Sequence, residues 1–127
     1  MVVNDTTFEE NGYSWGVQIL SDKDGRLLIE EDFFQNGVIN RIRIEHPKWQ
    51  GKNGISIGQT YGSFKDNINK GFVSFIPSFE MVDLVSTQQP SIHYLFKVKD
   101  IQKWAEMENP RMQDLSDDLV LTYIVIM

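Results

Sequence analysis

The feature that most constrains this chain is a two-residue alternation of apolar and polar side chains that returns along most of its length. Successive side chains of a strand point to opposite faces, so alternation predicts strands with one buried face. Tyr13, Trp15, Val17 and Ile19 alternate with Ser14, Gly16 and Gln18 and give a first strand. Asp22-Lys23-Asp24-Gly25 is turn chemistry, and 26–30 reads as the returning strand of a hairpin. Residues 38–44 follow, with Val38, Ile42 and Ile44 on one face and Arg41, Arg43 and Glu45 on the other. Residues 46–54 form a loop around Pro47. Residues 55–57, 72–76, 79–85, 92–98 and 119–126 supply the remaining strands. The apolar positions of 38–44 echo those of 120–126, a hint of related places in one sheet.

Two short stretches break the alternation. Thr60 is placed to cap a helix carrying Tyr61, Phe64 and Ile68 on one face, with Gly71 as its left-handed stop. Asp100 is placed to cap a second, carrying Ile101, Trp104 and Ala105 and ending before Pro110. The expected fold class is therefore α+β: a mostly antiparallel twisted sheet with one or two short helices packed on it. With no Pro-rich linker or low-complexity tract, residues 1–127 read as a single domain. Residues 1–11 are polar and acidic and are expected to fray. Phe33, Phe34, Phe72, Phe75, Phe79 and Phe96 are expected in the core, because aromatics in alternating strands are ordinary sheet packing.

Composition removes several function classes. The chain has 18 acidic and 12 basic residues, a net charge of −6, where a general nucleic-acid binder needs a basic excess. It has no cysteine, which excludes thiol catalysis, disulfides and the common zinc sites. No stretch approaches the roughly 18 apolar residues of a membrane helix. Met1-Val2-Val3-Asn4-Asp5 lacks the basic start and apolar run of a signal peptide. That fits a cytoplasmic protein, or a mature region placed behind a new Met1.

Familiar chemical motifs are incomplete. Asp22, Asp24, Gly25 and Glu31 match a calcium-loop register, but Leu20 stands at its first ligand position and strands flank it. Three residues separate Gly54 from Gly58 and Gln59 replaces the lysine of a phosphate loop, so these glycines read as a strand–turn–helix junction. His46, in a loop before Pro47, is expected to be exposed; His93 is expected on a sheet face. No catalytic residue, cofactor or metal ligand set is assigned.

The charge map is more informative. Residues 1–36 hold 8 acids and 2 bases (−6), 37–70 hold 6 bases and 2 acids (+4), and 71–127 hold 8 acids and 4 bases (−4). Arg41, Arg43, Lys48, Trp49 and Lys52 are accordingly the candidate binding residues, for an acidic protein or an anionic ligand such as a glycan. The competing reading is a solvated sheet face whose arginines pair with the chain's own acids.

Gly54-Ile55-Ser56-Ile57-Gly58-Gln59-Thr60-Tyr61 with its preceding Pro-Lys-Trp loop, Ser91-Ile92-His93-Tyr94-Leu95-Phe96, and Leu115-Ser116-Asp117-Asp118 before a terminal apolar strand cover about 40 of the 127 residues. Together they resemble segments of small, uncharacterised bacterial envelope proteins, secreted or lipid-anchored, including the sigma-E-regulated lipoprotein group of enterobacteria. The resemblance implies a periplasmic or cell-envelope α+β domain, touching a membrane only through a lipid anchor outside these residues. It brings no activity and no site residues. The expected function is a non-catalytic envelope protein that binds a partner or ligand. The alternatives are a cytoplasmic immunity-type acidic inhibitor, and a hydrolase using His93 or His46 with a carboxylate.

Overall fold

The computed structural model describes residues 2–32, 34–35, 37–51 and 53–127. Among the described residues, eight strands form one sheet in the order β1-β2-β3-β4-β8-β7-β6-β5, and every neighbouring pair is antiparallel. They are β1 (Val2–Glu10), β2 (Tyr13–Ser21), β3 (Arg26–Glu31), β4 (Ile39–Glu45), β5 (Gly71–Ile76), β6 (Met81–Ser86), β7 (Ile92–Lys97) and β8 (Leu121–Ile126). Two four-strand meanders thus meet where β4 pairs with β8. The echo between 38–44 and 120–126 falls at this seam, with Ile42 opposite Ile126 and Ile44 opposite Ile124.

Helix is scarce. α1 (Tyr61–Phe64) continues as a 3-10 turn at Lys65–Asn67, and α2 (Ile101–Glu106) precedes a second turn at Met112–Asp114. The fold is more sheet-dominated than expected. Tyr61, Phe64 and Ile68 are buried as their spacing predicts. Thr60 sits at the N-cap position, but its side chain makes no capping bond. Gly71 does not stop that helix in a left-handed turn; it opens β5.

The strand registers sort side chains onto two faces. Val73, Leu84, Tyr94, Ile124 and Ile44 lie in one row across β5, β6, β7, β8 and β4. Tyr61, Phe64, Trp104, Ile55 and Leu115 pack on that face with Phe96 and Val82 as the main hydrophobic core. The opposite face of the first meander is buried more locally: Leu28, fully covered, lies between Ile19 and Arg43.

The opening segment departs from expectation. Instead of fraying, residues 2–10 pair along their whole length with 13–21. Asn11 (φ 51°) and Gly12 (φ 83°) form the connecting turn, and both have the positive φ that a two-residue hairpin of this hand requires. Among the phenylalanines, Phe96 is buried and Phe75 half-buried, but Phe34, Phe72 and Phe79 are exposed. Phe72 lies on the sheet face away from the helices, in the edge strand β5. Phe33 lies outside the described residues.

Candidate functional site

Strand pairing decides the fate of the candidate 41–52 surface. The guanidinium of Arg41 lies opposite Glu30 and donates from Nε (2.5 Å) and Nη2 (3.0 Å) to its carboxylate. Glu30 is fully buried and also accepts from Trp15 Nε1 at 3.1 Å. The Glu30 hydrogen bond holds Arg41 above its ordinary pKa, against the opposing effect of burial. Arg43 lies 3.7 Å from Glu45 and places its guanidinium 5.7 Å from the centre of the Tyr123 ring. Arg26 also pairs with Glu45, and Lys48 pairs with Asp24 at 2.8 Å. Trp49 stacks on His46 with the ring centres 4.8 Å apart. Lys52 lies outside the described residues. Of the described bases in this segment, Arg41, Arg43, Lys48 and Lys65 thus lie within ion-pair distance of acids of the same chain, and Lys70 does not.

His46 is not exposed. It is 1% accessible, because the Asp22–Gly25 turn folds back onto the end of β4. Its Nε2 donates to Asp22 (2.8 Å to Oδ1) and its Nδ1 accepts from the Lys48 backbone N–H (3.2 Å). Gly25 permits this approach, since a Cβ there would meet the Glu45 carbonyl oxygen at 2.4 Å. Asp22, Asp24 and His46 bring three ligand atoms within 4.8 Å of one another, a spacing that would suit a cation. Each is already engaged: both nitrogens of His46, Asp22 with the Asp24 and Gly25 N–H groups, and Asp24 with Lys48. On the sheet face away from the helices His93 Nδ1 meets Asp83 Oδ2 at 2.7 Å, while Asp83 Oδ1 is buried without a hydrogen-bond partner. Among the described residues no serine or threonine hydroxyl is hydrogen-bonded to either histidine, so neither pair is extended into a nucleophile–base–acid relay.

Among the described residues, six cations make no ion pair: Lys23, Lys70, Lys97, Lys99, Lys103 and Arg111. Three of them, Lys97, Lys99 and Lys103, line a single groove of about 680 Å³. Its walls are built by short local devices. β7 ends at Lys97, and Asp100 starts α2 by accepting from the Lys103 backbone N–H at 3.1 Å. α2 buries Trp104 under the groove. Across from it, Asp114 accepts from the Arg111 backbone N–H (2.8 Å) and Asp118 accepts from the Ser116 hydroxyl (2.6 Å). That hydroxyl keeps Asp118 below the ordinary carboxylate range, and the charge of Lys99 adds to the effect. Val98, Leu119 and Val120 complete an apolar lining, with Thr122 beside them. The groove is thus lined by three lysines that make no close ion pair, with Lys99 acting on Asp118 at longer range, and by an apolar floor, while its three aspartates serve local hydrogen bonds.

The topology defines a class: an eight-stranded antiparallel sheet with short helices closing one face. Within it, the chain is similar to a solved structure described as the uncharacterized protein yfeY from Escherichia coli, with a TM-score of 0.66 and 16% sequence identity over 98% of this chain and 80% of that one. At that identity the likeness is one of fold. No family model matches the chain, and no curated protein matches it.

Proposed function

We propose that this protein is a binding module of the bacterial envelope, and that its ligand site is the groove between β7, α2 and residues 114–122. The ligand carries an anionic group. One observation carries this reading: half of the cations without an ion pair among the described residues line one concave site, whereas Arg41 and Lys48 are held by acids of the same chain and Arg43, its Nε buried without a hydrogen bond, lies 3.7 Å from Glu45. An ammonium without a partner can take a ligand carboxylate or phosphate oxygen without first breaking a protein ion pair. The envelope part of the proposal rests on the sequence resemblance of residues 54–61, 91–96 and 115–118.

The test is calorimetric titration with sodium benzoate. Alanine at Lys97, Lys99 and Lys103 together is expected to weaken binding at least about tenfold, the loss of roughly one charged hydrogen bond. Stability should move little, because all three side chains are exposed and unpaired. Lys48→Ala is expected to leave affinity unchanged. The reverse pattern would return the site to the 41–52 surface and overturn the proposal.

A further inference from the structure

We infer that the groove takes a single-chain amphiphile with one negative charge, a fatty acid of medium length or a chemical equivalent; this rests on the site proposed above and names its ligand class. The charge of the walls excludes the more obvious polyanions. Lys97, Lys99 and Lys103 are matched in number by Asp100, Asp114 and Asp118, so the lining is formally neutral. A dianion or trianion would gain from the ammonium groups and lose to the carboxylates around the same cavity. A monoanion can engage one or two lysines and leave the aspartates in their hydrogen bonds.

The floor supplies the second half of the ligand. Trp104 and Val98 are buried beneath the groove, Leu119 is half-buried, and Val120 leaves 48% of its surface in solvent. An acyl chain laid over Val120 and Leu119 removes apolar area from water on both sides of the contact. About 680 Å³ is far more room than a carboxylate needs and falls within the range of small-molecule sites, roughly 300–1,000 Å³. The occupant is a free molecule and not a bilayer surface. A net charge of −6 works against adsorption to anionic lipid, and the three lysines border a cavity and not a flat face.

The experiment compares butyrate, octanoate and octanol by amide chemical-shift titration of the full chain. Octanoate is expected to bind about tenfold more tightly than butyrate, a fraction of the gain that burying four methylenes completely would give. Octanol, which keeps the chain and loses the charge, is expected to bind more weakly than octanoate. Val120→Ser should reduce the octanoate advantage, and Lys103→Ala should weaken both carboxylates. Equal affinity for butyrate and octanoate, with shifts in the groove, would overturn the amphiphile and leave the anion site standing. Octanol equal to octanoate would overturn the charge requirement. Binding to phosphatidylglycerol vesicles without binding to free octanoate would replace this ligand by a membrane surface. No shift at residues 97–104 or 114–122 with any of them would remove both readings.

Discussion

At the scale of single residues, Glu30 shows how strongly this fold depends on matched charges. A buried carboxylate persists because Arg41 and Trp15 supply donors to it. Removing Arg41 strands that charge in a region of low polarity. Arg41→Ala is expected to destabilise the protein by about 2–3 kcal/mol, below the ~3–5 of a fully buried pair. The reduction follows because 38% of the Arg41 side chain remains in solvent. Urea unfolding measures this, and Glu30→Met in the Arg41→Ala background should recover much of the loss. If Arg41→Ala is neutral, the pair is only a surface contact. Nothing in the local sequence announces this bond, because Glu30 and Arg41 become neighbours only through the β3–β4 register. The same holds for His46, whose burial depends on an aspartate 24 positions away.

At the scale of elements, alternation and turn chemistry carry most of the fold. The pattern from Tyr13 onward locates seven strands to within a residue or two, since a period of two is written directly into the side chains, but the strand expected at 55–57 is only an isolated bridge between Ser56 and Gln50. β1 was hidden by composition: Asp5, Glu9 and Glu10 make it look like a solvated tail. Its signal was the Asn11-Gly12 pair, a strong mark of a tight hairpin. Edge position explains the phenylalanines, because alternation reports which side chains share a face but not whether anything covers that face. Phe72→Ser is therefore expected to change stability by less than about 0.5 kcal/mol. Phe96→Ala, which empties the centre of the helix-covered core, should cost about 3–5 kcal/mol. Thermal denaturation of the two variants checks the contrast, and comparable losses would contradict the assignment of faces.

At the scale of the whole molecule, three bases of the +4 segment pair with acids of the flanking −6 and −4 segments. Arg41 reaches Glu30 and Lys48 reaches Asp24 in the first segment, while Lys65 reaches Asp117 in the third. Segment sums conceal the unpaired cations, because Lys97, Lys99 and Lys103 sit in a stretch that is acidic on balance. The candidate groove was for that reason not legible in the sequence, although its helix and Asp100 cap were.

The internal pairing also gives stability an acid limb. The Asp24 backbone N–H, and then the His46 side chain, hold Asp22 below its ordinary value of 3.8. A carboxyl group with a depressed native pKa stabilises the fold above the ordinary value and loses that contribution as pH falls through the depressed one. Asp22→Asn is expected to flatten this part of the acid limb, measured as the dependence of the urea midpoint on pH below about 4. An unchanged acid limb would show that the turn is held by other contacts.

The most direct measurement of the central claim is a map of amide shifts on addition of octanoate to the intact protein. The account predicts perturbations concentrated at residues 97–104 and 114–122, lost on alanine substitution of Lys97, Lys99 and Lys103. Shifts concentrated instead at residues 41–49, unaffected by those substitutions, would contradict it.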